Sequence, residues 1–158
     1  ATKTPQHRYR LMWMDVKYQP GTLKVIAFDK DGKPALEKSI KTAGKPYKIV
    51  LNADRKSIKA DGKDISFVTV SVVDKNGIPC PTATNQLQFK VAGNGAFKAV
   101  CNGDATSLEL FHKPSMKLFS GKLVVLVQAN NAEGNIKLTV SGKKLKTGTI
   151  NLKSTFKN

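Results

Sequence analysis

Side chains able to do acid–base, nucleophilic or metal chemistry are few in this chain and widely separated. Glu37, Glu109 and Glu133 stand singly, and nothing in the sequence pairs two acids for general acid–base work. Neither a Gly-x-Ser-x-Gly elbow nor a phosphate-binding glycine loop is present. The two histidines, His7 and His112, lack the paired spacing of a zinc helix and read as surface or loop residues. Cys80 and Cys101 allow at most one disulfide and are too few for a thiolate zinc site. They are expected as small buried apolar residues. Asp29-Lys30-Asp31-Gly32 resembles a calcium loop until Gly32 is set at the sixth position. Ala27 and Lys38 then occupy positions 1 and 12, where oxygen donors are required, so the segment is expected to be a turn. The sequence therefore predicts no catalytic residue, no metal site and no cofactor.

The longest stretch without alternating polarity runs from Cys101 to Ser115, and long loops are where binding groups concentrate. Asn102, Asp104, Thr106 and Ser107 within it are the candidate ligand contacts. Aromatic rings offer another route to ligands by stacking on sugar faces. Trp13, the single tryptophan, lies in an alternating segment and is expected to pack in a core.

The charge is lopsided, with 27 Lys and Arg against 11 Asp and Glu. Only Arg8, Arg10 and Arg55 are arginines, whereas bidentate reading of phosphates favours Arg. Residues 1–45 carry 10 basic and 4 acidic groups and the remainder 17 and 7, so no patch is concentrated in sequence. The lysines fall on the polar half of alternating segments, which predicts a solvated surface and no nucleic-acid partner. No apolar run approaches the ~20 residues that cross a bilayer, so no membrane partner is expected.

The elements that must position these groups read as strands throughout, because β-branched and aromatic residues alternate with polar ones between Gly, Asn and Asp turns. Strands are expected at Leu11–Tyr18, Leu23–Phe28 and Ala35–Thr42. After the break at Ala43-Gly44-Lys45-Pro46 they are expected at 47–51, 65–73, 86–91, 96–100, 117–119, 122–128, 136–141 and 149–153. No segment of helical length holds a 3.6-residue period. The expectation is an all-β chain in two parts. Residues 1–45 form an incomplete, about three-stranded module, and residues 46–158 a complete immunoglobulin-like antiparallel sandwich. Val25–Pro34 and Val70–Pro79 echo each other 45 positions apart, with Val, Asp, Lys, Gly and Pro in register. Two similar hairpins or tandem modules would both produce that echo.

These residues resemble the C-terminal accessory region of family 2 glycoside hydrolases of the β-galactosidase type. The resemblance starts at Tyr9-Arg10-Leu11-Met12-Trp13, runs on through Val16-Lys17-Tyr18-Gln19-Pro20-Gly21-Thr22-Leu23, and includes the joint Thr42–Pro46. It continues through Leu51–Arg55, Ala60–Val70, Gly93-Asn94-Gly95 and Asn102–Ser107, covering roughly residues 9 to 152. The last module is also similar to invasin-like bacterial immunoglobulin domains. Leu108 departs from the family pattern, where a His would follow Ser107, and so do Cys80 and Cys101. The resemblance implies a non-catalytic region of a bacterial sugar-cleaving enzyme, periplasmic or extracellular. It implies the parent's own catalytic domain as partner, a polysaccharide as a further candidate, and a bracing or carbohydrate-docking role. Its incomplete first module suggests a homodimer. The alternative from another class is an adhesin-type spacer of a surface protein.

Overall fold

The computed structural model describes residues 12–156. Among these the chain forms eleven strands and no helix, and it divides into two compact units, residues 1–42 and 43–158. No helix of the described residues is long and apolar enough to cross a membrane.

The first unit contains one antiparallel pair, β1 (Thr22–Phe28) and β2 (Pro34–Lys41). Lys24 and Glu37 form an ion pair across it at 2.7 Å. The Thr42 amide donates to the Gly21 carbonyl and closes its open end. The connecting turn is built by Asp29, whose Oδ1 accepts the amides of Asp31 and Lys33, while Gly32 takes φ +75°. The third strand expected here, Leu11–Tyr18, is not formed. Met12–Tyr18 is coil with a turn at Met14-Asp15, and Leu11, like His7, lies outside the described residues. Alternation describes a half-buried strand only where a neighbour completes the ladder, and no ladder partner meets this segment among the described residues. Trp13 is accordingly 51% exposed rather than packed in a core.

The second unit is a two-sheet sandwich. One sheet, in the order β3-β5-β9-β7, contains β3 (Lys48–Ala53), β5 (Ile65–Val73), β9 (Lys122–Ala129) and β7 (Gly95–Cys101). The other, β4-β11-β10-β6-β8, contains β4 (Ser57–Lys59), β11 (Gly148–Thr155), β10 (Gly134–Gly142), β6 (Gln86–Gly93) and β8 (Ser115–Lys117). All pairs are antiparallel except β4 with β11. Period-two alternation sends Val68, Val70, Val72, Leu123, Val125 and Val127 inward from one sheet, and Leu87, Phe89, Ile136, Leu138, Val140 and Leu152 from the other. This is the expected immunoglobulin-like architecture.

Two details differ from expectation. β4 was not foreseen, because its three residues lie between the turn formers Asp54-Arg55 and Asp61-Gly62. β8 begins at Ser115, straight after Pro114. Cys80 is buried as expected, and burial pushes its thiol pKa up. Cys101 is instead an exposed free thiol at the outward-facing end of β7.

The chain passes from one sheet to the other at Gly93-Asn94-Gly95. Gly93 holds φ +90°, and a Cβ there would stand 2.1 Å from the Asn135 carbonyl oxygen, so the corner admits only glycine. Asn94 fixes it by accepting the Asn130 amide at its carbonyl and donating its own amide to Asn135.

Candidate functional site

The segment following β7 is a loop that bonds to itself. Asn102 Oδ1 accepts the Asp104 amide at 3.0 Å, and its Nδ2 donates to the Lys117 carbonyl, tying the loop to β8. Asp104 Oδ1 accepts both the hydroxyl and the amide of Thr106, at 2.7 and 2.9 Å. Those two bonds, the hydroxyl first, hold the Asp104 carboxyl below its ordinary pKa. Ser107 Oγ accepts the Glu109 amide at 3.3 Å, and the Glu109 carboxylate accepts the Lys117 amide and Gln86 Nε2.

Asn102, Asp104 and Ser107 line one groove of about 590 Å³ together with Thr84, Leu108, Glu109 and the β8 end at Lys117–Phe119. Thr106, the fourth candidate, is not among the lining residues and instead holds Asp104. Glu109, Lys117 and Phe119 were not singled out from the sequence. The folded register of β6 and β8, which sets Gln86 opposite Lys117, supplies the two donors that hold the Glu109 carboxylate at the groove. Leu108 is 96% exposed at its rim.

This economy extends over the whole second unit. All seven of its carboxylates accept backbone amides: Asp54 from Phe67, Asp61 from Lys63, Asp64 from Lys59, Asp74 from Gly44, Asp104 from Thr106, Glu109 from Lys117 and Glu133 from Phe156. Arg55 adds an ion pair to Asp64 at 2.9 Å. Asp64 is held below its ordinary pKa, chiefly by the Lys59 amide, and Asp61 chiefly by the amide of Asp64. Asp61 and Asp64, kept ionised by amide donors, are poor general acids. Among the described residues no three His, Cys, Asp or Glu side chains gather as a metal site. His112 is exposed on the loop.

The outer faces of the two sheets differ in chemistry. The four-stranded sheet turns an apolar cluster outward, Val50, Phe67, Val124, Leu126 and Cys101, with Phe67 opposite Leu126 and Val124 opposite Cys101, bordered by Asn52, Thr69, Ser71, Lys122 and Gln128. Phe67 is 47% exposed. The five-stranded sheet turns out only polar and small residues.

Comparison with known proteins bears on this sandwich. The family described as Glycoside hydrolase family 2 C-terminal domain 5 matches residues 49–151. The chain belongs to that family. A second family, a domain of unknown function (DUF4982), matches residues 1–36 of this family 2 chain. The beta-galactosidase BoGH2A of Bacteroides ovatus is 44% identical over 137 residues, which are 87% of this chain and 16% of that protein. The crystal structure of a glycosyl hydrolase family 2 member from Bacteroides cellulosilyticus superposes with a TM-score of 0.89 at 32% identity, over 96% of this chain and 21% of that one. This family 2 region thus spans 16% of the length of the curated relative it matches. The D00-D0 domain of intimin also superposes, with a TM-score of 0.52 at 17% identity over 87% of this chain and 66% of that one, which shows the fold alone. The adhesin-spacer alternative is therefore not favoured.

Proposed function

We propose that this chain is a non-catalytic bracing region of a longer family 2 glycoside hydrolase, periplasmic or extracellular, and that it docks on the rest of that polypeptide. The observation that carries the reading is the apolar cluster on the outward face of the four-stranded sheet, centred on Phe67 and Leu126. A sheet face in water normally alternates to polar residues, and a contiguous apolar cluster on one is a surface that protein normally covers. The occupant is the remaining bulk of the parent, since the matched relatives are several times longer than this chain. Retaining and inverting glycosidases both need two positioned carboxyl groups. The second unit commits every carboxylate to its own backbone, which supports placing the chemistry elsewhere in the parent. By its relatives, the parent would cleave a β-linked galactoside or a similar glycoside.

The test uses the parent enzyme. Phe67→Asp with Leu126→Lys should lower the parent's melting temperature while the isolated chain, whose core is untouched, melts as before. Unchanged parent stability would overturn the reading. So would hydrolysis of nitrophenyl galactosides by the isolated chain that disappears on Glu109→Gln.

A further inference from the structure

The opposite face of the sandwich carries a regular array of charge that the bracing role does not use. Each strand of the five-stranded sheet turns one lysine outward: Lys59 on β4, Lys153 on β11, Lys137 on β10, Lys90 on β6 and Lys117 on β8. The register aligns most of them. Lys137 stands opposite Asn151 and Ala92, Lys90 opposite Thr139, and Lys153 opposite Asn135. Lys90, Lys137 and Lys153 are therefore successive diagonal neighbours, each about 7–8 Å from the next. Lys59, opposite Thr155, continues the same diagonal onto β4.

Between these lysines lie Gln86, Gln88, Ser115, Asn135, Thr139, Ser141, Thr149 and Asn151, and no Asp or Glu projects from the face. The nearest acids sit at its margins and are already engaged, Asp64 on the Lys59 amide and Glu109 on the Lys117 amide and Gln86. Among the described residues none of the five ammonium groups enters an ion pair. Like charges at this spacing repel, weakly in water, and no acid on the face offsets the repulsion.

We propose that this face binds an anionic polysaccharide, a linear glycan bearing carboxylates or sulfates, laid along the diagonal Lys90–Lys137–Lys153–Lys59. Lysines supply point charges for the acidic groups, and the intervening amides and hydroxyls match sugar hydroxyls. Nucleic acid fits less well, because the face has neither Arg for bidentate phosphate contacts nor an aromatic platform for bases. A membrane fits less well, because the face has no apolar or aromatic residue larger than Ala92 to enter the interface. The inference stands apart from the bracing role, which uses the other sheet.

Affinity electrophoresis of the 158-residue chain in gels containing polygalacturonate, heparin or neutral dextran tests it, alongside poly(dT) and phosphatidylglycerol vesicles. The expected result is retardation by one or both acidic glycans, weakened by salt, and none by dextran. The triple variant Lys90→Gln, Lys137→Gln, Lys153→Gln should weaken that binding more than tenfold. An isoelectric control, Lys98→Gln, Lys113→Gln, Lys122→Gln, should change it less than twofold. The single reversal Lys137→Glu, at an exposed site, gives a second reading that does not depend on the triple variant folding. Equal losses in the triple variant and the control would overturn the proposal, because net charge alone would then explain binding. Absence of retardation, or tighter binding of poly(dT) or the vesicles, would overturn it as well.

Discussion

Asp74 Oδ2 accepts the amide of Gly44 at 2.8 Å, while its Oδ1 accepts the amides of Asn76 and Ile78. One carboxylate thus builds a hairpin turn and pins the first residues of the second unit to it. Asp29, 45 positions earlier, builds the same turn with the same two amide contacts but remains exposed. Asp74→Ala is expected to lower the second unit's melting temperature by about 5 °C or more, and Asp29→Ala to leave it unchanged. Differential scanning calorimetry of both variants checks the contrast.

A pH dependence follows from the same bonds. The Gly44 amide first, and then that of Ile78, hold Asp74 below its ordinary pKa, and amides do likewise for Asp61 and Asp64. A depressed folded-state value means that stability is fully present above the unfolded carboxylate range, about pH 4, and is lost as pH falls through the lower folded values. The melting temperature should be level from neutrality to about pH 5 and fall below about pH 4. In Asp74→Asn the acid-side fall should be shallower. An identical acid profile in that variant would remove Asp74 from the account.

Gly93 and Gly77 separate two costs of adding a methyl group. Both hold positive φ, +90° and +80°, but only Gly93 faces an obstruction, the Asn135 carbonyl. Gly77→Ala should cost about 1–2 kcal/mol for the left-handed backbone alone. Gly93→Ala adds a clash with backbone and should exceed 3 kcal/mol or unfold the sandwich. Urea midpoints for the two variants measure the difference.

The thiols should behave oppositely. Cys101, exposed on β7, should react with a thiol reagent in the native protein, whereas Cys80 should react only on unfolding, being buried with its pKa raised. Reductant should leave the melting temperature unchanged. A drop on adding reductant would point to a bridge instead.

Unit one exposes Leu23, Val25, Phe28, Leu36 and Ile40 on a two-stranded sheet, a structure only marginally stable alone in water. We expect the full chain to self-associate through the outer edges of β1 and β2, which no other strand among the described residues covers. Light scattering over a dilution series, repeated on a chain shortened to begin at Lys45, decides it. A monomer at every concentration for the full chain would end the idea.

The strand-rich sandwich was readable because its strands alternate cleanly, and Val68, Val70 and Val72 on β5 carry the pattern by themselves. Met12–Tyr18 alternates just as well and forms no strand, since period two reports on side chains and not on whether a neighbouring edge exists. Val124 and Leu126 interrupt alternation within Leu123–Val127, and a run apolar on both faces is how a doubly covered strand reads, so that cluster is legible in the sequence. The lysine diagonal was not legible. It depends on the registers of β6, β10 and β11, which no local pattern specifies. At the groove, turn chemistry marks Asn102 and Asp104, but the partners of the Glu109 carboxylate come together through the pairing of Gln86 with Lys117.

The position of β11 also governs when the sandwich can form. It lies between β10 and β4, and β4, although made some ninety residues earlier, has no other ladder partner among the described residues. During synthesis the segment around Ser57–Lys59 must therefore wait, unpaired, until residues up to Thr155 have left the ribosome. Until then the edge of β10 is open to other chains. A stalled or nicked polypeptide ending before Gly148 is the species that chaperones and proteases would meet.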